Sequence, residues 1–284
     1  MEFKDWLNER YQVDAQARDK GLEKRLFNFF SGNEINVVDL GAGTGSNFRY
    51  YSERLPAKKQ RWLLMDQNQE LLDEAFRNIS IDHSLGTENG PAQTLTIKDG
   101  DLMEIEVEFR QINLFENEID WSTYNRDLIV ANALFDLTSR QQFEAFVENL
   151  PLDTSALLLT LNYESTHFHP LNPLDHIWIG HFHEHMRREQ AFGRSMGADC
   201  VINMAEILEK QPVEFHKADS IWHLNSHHQI LQGGIMDFME NAMSDMGLDS
   251  DIFRGWLNER RELLNSGKQT MEVLHSDFLC LPRS

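Results

Sequence analysis

The stretch Val37-Val38-Asp39-Leu40-Gly41-Ala42-Gly43-Thr44-Gly45-Ser46-Asn47 decides the fold. Its apolar first half reads as a buried parallel strand, and the strand runs straight into a glycine-rich turn that opens a helix. Glycines at alternate positions allow positive φ and let a ligand lie directly against the backbone. Free amides at the start of the next helix offer donors to that ligand. Asp39, two residues before the first glycine, stands at the carboxyl end of the strand, where it can pair with an ammonium.

Two kinds of ligand use such a turn. A dinucleotide fingerprint, G-x-G-x-x-G, needs its third glycine for close helix–strand packing. Counted from Gly41 that position is Ser46, and the third glycine falls one residue early. A ligand with an amino-acid tail, S-adenosylmethionine (SAM), suits the turn and Asp39 better. The plain alternative is a glycine-rich turn that binds nothing.

Outward from this stretch, strands alternate with helices. Residues 3–30 carry Phe3, Trp6, Leu7, Leu22, Leu26, Phe29 and Phe30 at helical spacing, which predicts one or two helices ahead of the first strand at 35–40. Strands are expected at 61–66, at Thr94–Ile97, at Asp127–Ala131 and at Ala156–Leu161, with Val213–Phe215 as a sixth and Met271–Leu281 as the last. Ser139 with Gln142, and Ser226 with Gln229, have capping-box spacing ahead of apolar helical faces. Met236, Met239, Met243 and Met246 follow helical spacing and read as core. The whole, 1–284, reads as a single α/β domain with a doubly wound parallel sheet whose ligand edge holds every strand's carboxyl end. Residues 162–212 break the pattern, with five histidines between His167 and His183, a sixth at His185, and little strand character. They are expected to form an inserted cap.

Lys and Arg total 26 against 46 Asp and Glu, a formal charge of −20. Such a field argues against nucleic acid and anionic membranes as partners. Two cysteines, no apolar run near the roughly 18 residues of a membrane span, and an amino terminus unlike a signal peptide all point to a cytoplasmic protein.

Together these features resemble the class I SAM-dependent methyltransferases over most of the chain. A narrower likeness, to a poorly characterised bacterial branch that supplies no substrate, rests on Phe182–Gly193, Ala218–Leu224 and His275–Pro282. The resemblance implies a Rossmann-like seven-stranded sheet with its last strand antiparallel. Asp39, Gly41, Gly43 and Gly45 match the first motif, with Asn47 just inside the following helix. Asp66, with Gln67 beside it, would accept both ribose hydroxyls of SAM. Asp101 and Leu102 would flank the adenine, and Asn132 would lie beside the sulfonium.

The remaining candidates have both a functional and a bland reading. Arg10, Tyr11, Asp14 and Arg18 lie on the amino-terminal segment, 1–30, which often forms a lid in this fold. Arg18 there would bind the methionine carboxylate, or else be a solvated helix charge. His181, His183 and His185 invite a metal, but no zincin pattern is present and no metal is expected. Arg187 and Arg188, with Arg194, would select an anionic acceptor if they face the cleft, and would pair with surface acids if they face out. Trp222 is a pocket wall or plain packing. If the acceptor is a hydroxyl or amine, His185 is the first candidate base and Asp136 the second. The expected function is methyl transfer to a small molecule. A nicotinamide-dependent oxidoreductase and a non-catalytic SAM-binding protein are its rivals.

Overall fold

The computed structural model describes residues 2–83, 94–99, 103–115, 119–190 and 192–283. Helices α1 (Phe3–Ala17) and α2 (Lys20–Phe29) precede β1 (Glu34–Leu40), and the glycine turn opens α3 (Ser46–Tyr51). β2 (Lys59–Asp66), α4 (Gln69–Asp82), β3 (Thr94–Asp99) and β4 (Met103–Gln111) come next, then β5 (Leu128–Asn132), α5 (Arg140–Asn149) and β6 (Ala156–His169). After these come α6 (Asp175–Met186), the short hairpin β7 (Glu189–Gln190) and β8 (Gly193–Arg194), and α7 (Cys200–Leu208). β9 (Val213–Asp219), β10 (Trp222–Leu224), α8 (Gln229–Asp245), α9 (Asp251–Asn265) and β11 (Thr270–Pro282) complete the chain.

Parallel pairing joins β4, β2, β1, β5 and β6 in that spatial order. β11 runs antiparallel to β6 and carries both β9 and β10 on its other edge. The expected seven-stranded sheet with an antiparallel last strand is therefore present, and β3 and β10 enlarge it to nine strands among the described residues.

The third parallel strand is not where the sequence placed it. Thr94–Ile97 lies within β3, which runs antiparallel on the outer edge of β4. β4 is the true neighbour of β2, in register from Lys59↔Glu104 to Asp66↔Gln111. Its apolar Ile105, Val107 and Phe109 alternate with Glu104, Glu106 and Glu108, the period-2 pattern of a half-buried strand. Asp101 and Leu102 lie outside the described residues. Their described neighbours Asp99 and Met103 pair at the edge where β4 starts, opposite the edge that carries Asp66. The segment that follows β4 on the Asp66 side is Ile112–Leu114, where the Ile112 amide donates to the Asp66 carbonyl at 2.9 Å.

One face of the sheet is covered by α2, α3 and α4 through Leu22, Leu26, Phe48, Leu72 and Ile79. The other is covered by α5 and α7 through Phe143, Val147, Met204 and Ile207. A third apolar cluster joins α1, α6, α8 and α9 to the outer ends of β6 and β11, around Trp6, Trp178, Trp222, Phe253 and Trp256. Met236, Met239 and Met243 sit in this cluster as buried core, with Met246 packed against it.

The inserted cap differs from the expected 162–212. Residues 162–169 extend β6, paired with Thr270–Ser276 of β11, and α7 belongs to the sheet layer. The cap is α6 joined by α8 and α9, from the far end of the chain. Arg260 of α9 and Asp175 at the start of α6 form a buried ion pair, in which Arg260 Nη2 donates to both carboxylate oxygens at 2.6 Å. The Trp256 indole N–H donates to the same carboxylate at 2.8 Å, and Arg260 also donates to the Pro170 carbonyl at 2.8 Å. The Ser139 capping box forms as expected. The one at Ser226 does not: α8 starts after His228, without a side-chain cap. Among the described residues no helix is long and apolar enough to cross a membrane.

Candidate functional site

The three glycines of the turn hold φ values of 60°, 55° and 83°. Strain disfavours a side chain at all three, and space adds to it at Gly41 and Gly45. A Cβ on Gly41 would stand 2.9 Å from Leu134, and one on Gly45 would stand 3.3 Å from Ala75. One on Gly43 would reach out towards Leu7 of α1, 3.4 Å away, across the gap between turn and lid. Asp66 braces the turn, its Oδ2 accepting from the Gly43 amide and its Oδ1 from the Asn68 amide, each at 2.9 Å. Burial pushes the Asp66 carboxyl up, and these amides oppose the shift.

A cavity of about 420 Å³ opens above the turn. Gly41, Ala42, Gly43, Asp66, Gln67, Asn68 and Asn132 form its floor, α1 its lid, and α6, α8 and the outer ends of β6 and β11 its far wall. The lid is tied down by polar contacts. Asn8 donates to Glu74 at 3.2 Å and accepts from Asn78 at 3.0 Å. Asn132 donates to Asp14 at 3.3 Å and to Ser46 at 3.2 Å, and Asp14 pairs with Arg10 at 3.0 Å. Of the expected lid segment only α1 covers the cavity; α2 packs on the sheet.

Asp39, Asn47 and Arg18 are buried beneath the turn, and none lines the cavity. Arg18 Nη2 donates to Asn47 Oδ1 at 2.9 Å, and Asn47 Nδ2 donates to Asp39 Oδ1 at 2.7 Å. The Arg18 guanidinium also lies over the rings of Tyr50 and Tyr51. This chain supports the turn from beneath. No described residue hydrogen-bonds Asp39 Oδ2, and burial pushes the carboxyl up to about 7, against the Asn47 hydrogen bond and the charge of Arg18.

The folded state thus holds the Asp39 proton more tightly than the unfolded chain. Folding stability from this group is present at low pH and falls as pH rises from 3.8 to about 7. Asp39→Asn should melt higher than the parent at pH 8 and level with it at pH 4. A thermal melt at each pH checks this, and equal melting at pH 8 would refute it.

Arg10, Asp136, Tyr163, Trp222 and His275 gather at the far end of the cavity. Burial raises the Asp136 carboxyl to about 6, Arg10 partly opposing, and no described residue hydrogen-bonds its Oδ1. Burial, aided by Arg10, pushes His275 down to about 3, so its imidazole is neutral. Its Nδ1 lies 3.2 Å from the Ser220 carbonyl and donates to it. The Tyr163 hydroxyl lies 3.1 Å from both Thr166 Oγ1 and His183 Nε2. Phe182, Phe192, Ile235 and Phe238 supply apolar wall.

His185 is not part of this site. It lies off the cavity, with Nε2 at 3.4 Å from Asp245 of α8. Successive residues of a helix turn by about 100°, so His183 and His185 cannot share a face. Arg187 pairs with Asp199 at 3.3 Å, and neither it nor Arg188 or Arg194 lines the cavity. Among the described residues no three His, Cys, Asp or Glu side chains are grouped to hold a metal ion. Tyr163 and His275, missed as site residues, come from the extensions of β6 and β11. Ile112 and Leu114 were hidden by the misplaced third strand.

No model of a known protein family matches the sequence, and no curated protein matches it. Solved structures match its fold. The YcgJ protein of Bacillus subtilis is 14% identical over 94% of this chain and 100% of its own, with a TM-score of 0.51. A candidate methyltransferase of Bacillus halodurans is 11% identical over 92% of this chain and 97% of its own, at 0.49. The plantazolicin methyltransferase BpumL, solved with a monoazolic desmethylPZN analogue and S-adenosylhomocysteine (SAH), is 13% identical over 98% of this chain and 88% of its own, at 0.46. At these identities the likeness is one of fold: this chain has a Rossmann-like α/β fold, shared with YcgJ.

Proposed function

We propose that this protein transfers a methyl group from SAM to a small-molecule acceptor. Asp66 carries the proposal: a carboxylate at the end of β2, lining the cavity beside a turn of three positive-φ glycines. The Gly43, Asn68 and Gln67 amides approach its two oxygens, and a carboxylate's four acceptor sites leave room for a ribose hydroxyl. The donor set fits SAM elsewhere too. Gly43 leaves the space a Cβ would fill, and Gln67, Leu71, Ile112 and Leu114 form a largely apolar wall for an adenine. Asp14, Ser46 and Asn132 lie together on the cavity wall, where they would hold the ammonium in place of the buried Asp39.

When bound, SAM supplies an electrophilic methyl on a sulfonium sulfur, which keeps the C–S bonding pair as the acceptor's lone pair takes the carbon. The chain's own work is alignment and exclusion of water. α1 covers the site, and Asn132 and Asp14 fasten it to the end of β5. Asp136, whose carboxyl burial raises to about 6, would take a proton from the acceptor. An anionic acceptor loses its support, because the arginines that suggested it lie off the cavity.

Isothermal titration with SAH, with NADH in parallel, tests the cofactor. Micromolar binding of SAH alone is expected, and binding of NADH alone would overturn the proposal. Loss of a general base costs ~10²–10⁴-fold in rate. His185→Ala should show no such loss when SAH release is followed, and a drop of that size would return the role of base to His185.

A further inference from the structure

The ionisable wall of the cavity is unevenly matched. Asp14, Asp66 and Asp136 face a single arginine, Arg10, and a neutral His275. Arg10 is already committed, paired with Asp14 at 3.0 Å and stacked over the Trp222 ring at 4.9 Å. Asp66 is held by the backbone amides of Gly43, Asn68 and Gln67. Asp136 alone has neither a cation in contact nor, at Oδ1, any hydrogen bond from a described residue. The Asp136 Oδ1 is shut off from solvent, and a carboxylate so placed calls for a counter-charge, since an uncompensated one is costly to bury. An anionic ligand would add to the imbalance, and a cationic one would relieve it.

The surroundings of Asp136 specify more than charge. Trp6, Phe182, Trp222 and Phe238 line the same chamber, with Trp6 edge-on to Phe238 at 5.0 Å and 6.2 Å from Trp222. Aromatic faces attract ammonium groups and also take up a flat apolar body.

Resting on the methyl-transfer reading of the same cavity, we propose that the acceptor is an amine on a ring-sized apolar body, its ammonium paired with Asp136 and its body held among Trp6, Phe182, Trp222 and Phe238. Asp136 also gives that ammonium's proton a place to go, freeing the nitrogen lone pair. The amine nitrogen is the atom methylated.

Titration of the SAH-saturated protein with benzylamine, phenol and benzoate, followed by NMR, tests the acceptor class. Benzylamine should bind at least ~10-fold more tightly than either of the others, the least that one charge-assisted hydrogen bond provides. Asp136→Asn should weaken benzylamine by a similar factor with SAH affinity unchanged, and Asp136→Glu should restore part of it. Preference for phenol or benzoate, no binding by any of the three, or an Asp136→Asn variant that still binds benzylamine normally would each overturn the proposal. Should SAH not bind, the same titration of the free protein separates the two ideas. Asp136-dependent benzylamine binding would then keep the amine site and remove methyl transfer.

Discussion

Asp66→Ala should weaken SAH binding by about 100-fold in a calorimetric titration. Hydrogen bonds to an ionised group each contribute about 1.5–3 kcal/mol net, and the proposed ribose contact makes two. Even the lower figure for both gives about 3 kcal/mol, or roughly two decades in affinity. The Ala variant also strips the Gly43 and Asn68 amides of their acceptor, so part of any loss could come from a loosened turn. Asp66→Asn separates the two effects. It keeps an acceptor for one amide but cannot accept at both oxygens, so it should still lose at least tenfold while melting near the parent. Unchanged SAH affinity in both variants would remove the ribose contact, and with it the main support for the cofactor.

The largest stability effect should come from Arg260→Met. It leaves Asp175 buried with its charge uncompensated, a loss of about 3–5 kcal/mol in comparable buried pairs. For a chain of this size each kcal/mol shifts the melting temperature by roughly 2–4 °C, so a fall of about 10 °C is expected. Arg260→Met combined with Asp175→Leu removes both charges and should regain most of that loss. Because the pair ties α9 to the start of α6, the single variant should also loosen the cavity's far wall. Ligand binding at the Asp136 end should suffer more than SAH binding at the glycine turn. A single variant that melts like its parent would show that the pair does not hold the cap.

Much of this could be read locally. The glycine turn is legible because positive φ and close packing tolerate little else, and β1, β2, β5 and β6 are legible because buried parallel strands are apolar almost throughout. β4 carried its own signal in the alternation of Ile105, Val107 and Phe109 with three glutamates. Thr94–Ile97 was read in its place, although it forms the antiparallel edge strand β3. Asp39 illustrates a different limit. Its position at the strand's end was legible, but a strand presents alternate residues to opposite faces, and only the packing of the turn leaves Asp39 buried and Asp66 on the cavity wall.

The sequence by itself determined the α/β class, the parallel strands β1, β2, β5 and β6, the turn and the acid that ends β2. Each depends on burial period or on backbone conformation within a few residues. Only the tertiary structure decided which polar side chains meet. Asp14 reaches Asn132 across 118 positions, and Arg260 reaches Asp175 across 85. The rotation of α6, set by Trp178 packing on Phe253 at 4.9 Å, turns His183 towards Tyr163 and His185 towards Asp245. Those choices follow from how the cap's helices close over β6 and β11, a long-range packing that no local periodicity encodes.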